Sequence, residues 1–221
     1  MSIVGMAAGS GLAFVVAIGL LGTALGVLAE RLIARALPRL GSAPSVRSRI
    51  TTAALTGVLS AALALRLGMD GSLPAFLVLA VLGVQLARID LAHHLLPNPL
   101  VLALLIGGLA LFAAGSSASA GWPHLLRAAA SAVILFVVYL ILAVISPRGI
   151  GMGDVKLAAP VGLYLGYLGW GQLFYGGALA FILGGIFSVV LISFKRAKKP
   201  AEVAYGPAML AATLGMVLIT P

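Results

Sequence analysis

Two aspartates are the strongest candidates for catalysis in this sequence. Asp90 opens the stretch Asp90-Leu91-Ala92-His93-His94-Leu95-Leu96-Pro97-Asn98, and Asp154 follows the alternating glycines of Gly149-Ile150-Gly151-Met152-Gly153. Two carboxylates at short range tend to share one proton. The ionised member can then take a proton from water, while the protonated member donates a hydrogen bond to a peptide carbonyl. The pattern predicts aspartyl-type peptide hydrolysis, without a metal or another cofactor.

Three neighbouring residues are predicted to support the pair. Gly151 and Gly153 leave little side-chain bulk, so another chain can approach the backbone closely. Lys156 could stabilise the charged pair or contact substrate carboxylates, or it could anchor the loop on the inner side of a membrane. Structural alternatives exist for the acids as well: Asp154 could cap a helix, and Asp90 could pair with a nearby arginine.

A metal site is not expected beside Asp90. His93 and His94 are adjacent to it in sequence, but no third or fourth ligand follows at a clear spacing. The chain also has no cysteine, which excludes disulfides, thiol catalysis and cysteine-based zinc sites.

The composition is that of a polytopic membrane protein. Of 221 residues, 62% are hydrophobic and 9% are charged, against about 25% charged in soluble domains. Apolar runs long enough to span a bilayer recur along the chain. The net charge of +9 could suggest nucleic acid, but the basic residues cluster between apolar runs. We therefore expect a lipid bilayer as partner and no nucleic acid.

The apolar runs predict an all-α fold with about eight transmembrane helices, in a single helical domain over residues 1–221. The uncharged first run is expected to be a retained helix, not a secretory signal. The predicted helices are Ile3–Leu28, Ile50–Leu67, Pro74–Leu91, Leu100–Ala114, His124–Ile145, Asp154–Leu168, Gln172–Phe194 and Gly206–Ile219.

Charge distribution predicts the orientation of these helices. All of the 14 Lys and Arg residues except Arg66 and Arg127 lie at one set of loops and helix ends. Basic residues concentrate on the cytoplasmic side, so both termini should face outward. Asp90, at the end of the third helix, and Asp154, at the start of the sixth, should then meet at the cytoplasmic boundary.

The sequence around the two aspartates resembles the prepilin peptidases, a type IV leader peptidase family of GxGD membrane aspartyl proteases. The similar features are an Asp followed after five residues by Leu-Pro-Asn, and then Gly-Met-Gly-Asp-Val-Lys-Leu-Ala downstream. The segments Leu20–Pro38 and Tyr205-Gly206-Pro207-Ala208-Met209-Leu210 agree more loosely. The resemblance implies an eight-helix bundle in the bacterial inner membrane, with Asp90 and Asp154 as the catalytic pair.

The resemblance also implies the substrate and one missing activity. The substrate would be a prepilin or pseudopilin with a basic leader and a hydrophobic helix, cleaved on the cytoplasmic side. Many members carry a cysteine-rich zinc insertion and also methylate the new terminus; here the region from Arg31 to Arg49 is short and has no cysteine. We therefore expect a short form with peptidase activity only. Asn98 replaces a frequent aspartate and is assigned to a turn or cap.

Two other classes of function remain open at this point. A small transporter or channel could use Asp90 and Asp154 as a proton or ion relay, although such acids tend to lie near the bilayer midplane. A noncatalytic assembly factor of a secretion machine would tolerate neutralisation of both acids.

Overall fold

The computed structural model of the chain describes residues 3–36, 45–119, 121–146, 150–193 and 205–220. Within these ranges the chain forms eight helices and no strand, as the sequence predicts. They are α1 (Ile3–Ala36), α2 (Val46–Leu67), α3 (Leu73–His93), α4 (Asn98–Ser119), α5 (Trp122–Ile145), α6 (Met152–Leu168), α7 (Trp170–Ser193) and α8 (Gly206–Ile219).

Several helices extend beyond their predicted ends, because local helix propensity and capping decide those ends. Helix α1 continues to Ala36 rather than stopping at Leu28, since Glu and Arg are good helix formers. Helix α2 begins at Val46, because the Ser45 side chain accepts a hydrogen bond of 3.2 Å from the Ser48 N–H. The predicted loop features at Pro38, Arg39, Pro44, Pro147, Arg148 and Gly149, and the basic cluster at 195–199, lie outside the described residues.

Six of the described helices are long and apolar enough to cross a membrane: α1, α2, α3, α4, α5 and α7. The chain is therefore a multi-pass membrane protein. Helices α6 and α8 are shorter, with 17 and 14 residues. Both are largely buried, whereas the long helices expose many apolar side chains. The short helices thus form much of the interior of the bundle.

Contacts between helix ends establish the up-and-down order of the bundle. At one end, Arg49 of α2 pairs with Glu30 of α1 at 3.2 Å. At the other end, the Arg127 Nε and Nη2 atoms each donate a hydrogen bond of 2.7 Å, to the carbonyls of Gly166 and Tyr167. We refer to the first end, which also holds Asp90 and Asp154, as the site end.

The two arginines that depart from the predicted charge asymmetry, Arg66 and Arg127, have a structural role at the opposite end. Arg127 binds the last carbonyls of α6, and the Arg66 guanidinium donates to the carbonyl of Thr220, which follows α8. Carbonyls at a helix C-terminus lack partners within the helix and carry partial negative charge. Each arginine therefore satisfies the end of one short central helix.

Glycine allows α5 and α6 to pack at close range. A Cβ atom at Gly162 would lie 2.4 Å from the Ser131 carbonyl oxygen, and one at Gly166 would lie 2.2 Å from the Ser131 Cβ. Gly162 and Gly166 are one helical turn apart, the spacing of small residues in tightly packed membrane helices. This packing sets the position of α6, and therefore that of Asp154 at its start.

The substitution Gly162→Ala should destabilise the protein. The added methyl group would meet a backbone oxygen that cannot rotate away, and overpacking of this kind costs about 1–3 kcal/mol. Thermal unfolding of the purified protein in detergent measures the loss. Gly177→Ala is the matched control, since Gly177 is also buried but a Cβ there meets only Leu135 Cδ1, at 3.9 Å. Equal melting temperatures for the two variants would contradict the packing argument.

Candidate active site

Asp90 lies in the last turn of α3 and faces the start of α8. Its side chain is 5% exposed, and its Oδ2 atom accepts a hydrogen bond of 3.1 Å from the backbone N–H of Gly206. A Cβ atom at Gly206 would lie 2.7 Å from this oxygen, so glycine is needed for the approach. The first turn of α8 carries partial positive charge. The buried carboxylate is therefore held by a helix N-terminus.

The chain reverses direction directly after Asp90. His94 adopts a left-handed conformation with φ 50°, and its N–H donates to the Asp90 carbonyl at 2.8 Å. A left-handed residue just past the last turn is a common way to end a helix. This turn brings Leu96 and Asn98 back toward α6.

Asp154 lies in the first turn of α6 and is partly buried. Its Oδ2 atom accepts a hydrogen bond of 3.3 Å from the backbone N–H of Gly151, the residue that caps the helix. The capping alternative considered for this residue is thus present in the structure. The cap uses one carboxylate oxygen, because only Oδ2 accepts from Gly151.

The structure brings the two predicted catalytic residues together at the site end of the bundle. Leu96 lies between the start of α6 and the start of α8. Its Cδ1 atom would be 3.3 Å from a Cβ atom at Gly153 and 3.4 Å from a Cβ atom at Gly206. The charges of Asp90 and Asp154 are close enough to act on each other. The two carboxylates are therefore neighbours at the site end of the bundle.

The two predicted supporting glycines differ in what surrounds them. A Cβ atom at Gly153 would make a tight contact of 3.3 Å with the Leu96 side chain, whereas Gly151 is exposed and a Cβ there would lie 3.3 Å from Asp154 Oδ2. Gly153 therefore lets the turn after α3 approach α6. Gly151 keeps the entry to α6 open to a neighbouring chain.

Among the described residues, no hydrogen bond joins Lys156 to Asp90 or Asp154. Its exposed Nζ atom donates to Asn98 Oδ1 at 3.0 Å, which joins α6 to the start of α4. Asn98 was assigned to a turn or cap, but it is the first residue of α4, and its side chain accepts from Lys156 instead of capping the helix. The interaction holds the segment between Asp90 and α4 against the helix that carries Asp154.

A third acidic residue at this end is buried, and the sequence did not single it out. Glu30 is 4% exposed and pairs with Arg49, while the Thr52 hydroxyl lies 3.5 Å from its Oε2 atom. These contacts join α1 to α2 and satisfy the buried charge. The sequence offers one signal for Glu30: it is the first charged residue after an uncharged run of 29 residues.

An apolar cavity of about 710 Å³ opens beside Asp90, between α2, α3 and α8. Its lining includes Arg88 and Leu91, which flank Asp90 in α3, and Pro207, which follows Gly206. The Arg88 Nε atom is buried without a hydrogen-bond partner among the described residues. Asp90 itself does not line the cavity, which adjoins the turn of α3 that carries this residue.

No cluster of three or more metal-binding side chains occurs within the part of the chain that the structure describes. His93 and His94 are both exposed at the end of α3. The described features of the candidate site are two carboxylates and the backbone donors that hold them.

Comparison with known proteins identifies the family. Residues 76–189 match the model of the type IV leader peptidase family, and this region contains both Asp90 and Asp154. The chain belongs to the type IV leader peptidase family. The region spans α3 to α7 almost completely, whereas α8, which binds Asp90 through Gly206, follows it.

Similar proteins carry the name prepilin leader peptidase/N-methyltransferase. The Aeromonas hydrophila protein is 34% identical over 155 residues, which are 69% of this chain and 52% of the relative. The Stutzerimonas stutzeri protein is 30% identical over 152 residues, or 68% of this chain and 51% of the relative. The chain thus matches about half the length of these relatives. No solved structure matches the chain.

Replacing the amide of Asn98 by a carboxylate should strengthen its contact with Lys156. An exposed ion pair contributes about 0.2–1 kcal/mol, so Asn98→Asp should raise the melting temperature slightly, and high salt should remove the gain. The matched control is the same substitution in a Lys156→Met background. An equal gain in both backgrounds would show that the ammonium group of Lys156 is not the cause.

Proposed function

We propose that the chain is a membrane aspartyl endopeptidase that removes the leader peptide of type IV prepilins or pilin-like proteins. One observation supports this proposal: Asp90 and Asp154 come from different helices to the same end of the bundle, and each accepts a backbone hydrogen bond at the start of a helix. Membership of the leader peptidase family and the names of the relatives support the substrate class.

In the proposed reaction the two carboxylates share one proton. The ionised carboxylate takes a proton from water, and the resulting hydroxide equivalent attacks the scissile carbonyl carbon. The protonated carboxylate donates to the carbonyl oxygen as negative charge develops there. Proton transfer to the leaving amine then breaks the C–N bond and returns the pair to its starting state. This scheme needs no cofactor.

The surroundings of the pair support a substrate that combines an extended segment with an apolar one. Exposed Gly151 leaves the backbone at the start of α6 accessible, and an extended peptide can pair with such a backbone. The cavity beside Asp90 is lined mainly by apolar side chains. A prepilin, with a polar basic leader before a hydrophobic helix, has both features.

We further propose that all eight helices cross the membrane, that both termini lie outside and that the active site faces the cytoplasm. Basic residues described at the site end support this orientation: Arg31, Arg35, Arg47, Arg49, Arg88 and Lys156. Arg66 and Arg127, at the opposite end, bind helix C-termini instead. The proposed location is the bacterial inner membrane, with residues 1–221 forming one helical domain.

The proposal includes the peptidase activity alone. The relatives' name also contains N-methyltransferase, but this sequence has no cysteine for the zinc-binding insertion found in many methylating members. We therefore expect cleavage without methyl transfer from S-adenosylmethionine. The proposed partners are the prepilin substrate and the lipid bilayer, without nucleic acid.

Cleavage of a pilin-like precursor by the purified protein in liposomes tests the proposal. Asp90→Asn and Asp154→Asn should each lower the cleavage rate by at least about 100-fold, the scale of a lost general acid or base. A metal chelator should have no effect. Asp70→Asn is the matched control, because Asp70 lies in the turn before α3, where its Oδ1 atom accepts from the Ser72 N–H at 2.8 Å.

The outcome separates the proposed mechanism from its alternatives. Cleavage by wild type and Asp70→Asn, but by neither site variant, would support an aspartyl pair. Equal cleavage by all four proteins would contradict it. If a panel of pilin-like precursors stays intact while ion flux into liposomes depends on Asp90 or Asp154, the transporter alternative replaces the peptidase.

A further inference from the structure

Two tyrosines meet at the site end and have no part in the proposed reaction. Tyr139 of α5 is 1% exposed, and Tyr205 immediately precedes α8; their hydroxyl oxygens lie 3.2 Å apart. Both phenols are close enough to Asp154 to interact with its charge. The pair therefore lies at the site end near Asp154 rather than in a remote part of the core.

The ring of Tyr205 occupies a confined space between α5 and α7. A Cβ atom at Gly184 would lie 2.1 Å from the Tyr205 Cε2 atom, so the ring fits only because α7 has a glycine there. The Phe181 ring, one turn earlier in α7, lies 5.4 Å from the Tyr139 ring and 5.8 Å from the Tyr205 ring, measured between centroids. Packing and one hydrogen bond thus fix this side chain.

The backbone of Tyr205 connects this side chain to Asp90. Tyr205 is the N-cap residue of α8, and its carbonyl accepts hydrogen bonds from the N–H groups of Ala208 and Met209 at 3.0 and 3.3 Å. The next residue is Gly206, whose N–H donates to Asp90. A shift of the Tyr205 ring would therefore move the donor that holds the Asp90 carboxylate.

The hydroxyl groups are able to form this link at neutral pH. Burial raises the pKa of the Tyr205 phenol, which therefore stays protonated. One hydroxyl of the pair donates to the other, so α5 and the start of α8 are joined by a neutral hydrogen bond. Replacing either tyrosine by phenylalanine removes that bond and leaves both rings in place.

We propose that Tyr139 and Tyr205 are a positioning pair that fixes the first turn of α8, and through Gly206 the carboxylate of Asp90, relative to Asp154. This inference rests on the proposed peptidase function. Neither tyrosine takes part in proton transfer. Their contribution is to hold the two carboxylates at the separation that the reaction requires, which affects the chemical step more than substrate binding.

The test measures kcat and KM for precursor cleavage by Tyr139→Phe, Tyr205→Phe and the double variant. Each single variant should lower kcat about three- to tenfold, the equivalent in rate of one hydrogen bond, with KM within about twofold of wild type. The double variant should be no slower than the slower single variant, because all three lack the same bond. Tyr164→Phe is the control, since the Tyr164 hydroxyl faces the Leu104 carbonyl in the core at 3.5 Å.

A second pair of variants moves the ring without changing either tyrosine. Gly184→Ala should displace Tyr205 and lower kcat, whereas Gly185→Ala, where a Cβ meets nothing within 4 Å, should leave kcat unchanged. Wild-type kcat in Tyr205→Phe and Gly184→Ala would overturn the positioning role. A loss of kcat that Tyr164→Phe and Gly185→Ala share would also overturn it.

The controls distinguish failure of this inference from failure of the proposed function. If wild type cleaves and cleavage depends on Asp90 and Asp154, while Tyr205→Phe matches wild type, only the positioning role is wrong. If cleavage by wild type does not depend on the two aspartates, the proposed function is wrong and the inference falls with it.

Discussion

A hydrogen bond from the backbone N–H of Gly206 to the carboxylate of Asp90 joins the start of α8 to the end of α3. A carboxylate is costly to bury among apolar helices unless donors replace its water. Helix N-termini provide such donors, because their first N–H groups have no partner within the helix. Asp154 is held in the same way at the start of α6. Two short helices must therefore begin at the same end of the bundle, and the long helices pack around them.

Close approach between these elements depends on glycine at a few positions. Gly206 admits the Asp90 carboxylate, Gly153 admits Leu96, and Gly162 admits the backbone of α5. In a lipid environment, association between helices relies on close packing and interhelical hydrogen bonds more than on the hydrophobic effect. The same contacts that make the bundle compact thus bring the two aspartates to one site.

Charged side chains at the two ends of the bundle have different structural roles. Glu30 and Arg49 join α1 to α2 at the site end, outside the region that matches the family model. At the opposite end, Arg66 and Arg127 bind the C-termini of the two central helices. The position of Arg66 and Arg127 follows from carbonyl groups that need donors. A count of basic residues along the sequence shows where each one lies. The hydrogen bonds of Arg66 and Arg127 explain why these two lie at the opposite end.

The sequence by itself determined the helical class and, within the described residues, the number of helices, because apolar runs are local signals. Its short motifs named Asp90 and Asp154 as the candidates for catalysis. It did not predict that Lys156 would bind Asn98, that Glu30 would be buried or that Tyr205 would pair with Tyr139. Helix ends were misjudged at Ala36, where good helix formers extend α1, and at Val46, where the Ser45 cap begins α2. The donor to Asp90 lies 116 residues further along the chain. Only the packing of α8 against α3 brings the Gly206 N–H to Asp90. Two residues so far apart in the sequence show no helical periodicity that could have predicted the contact.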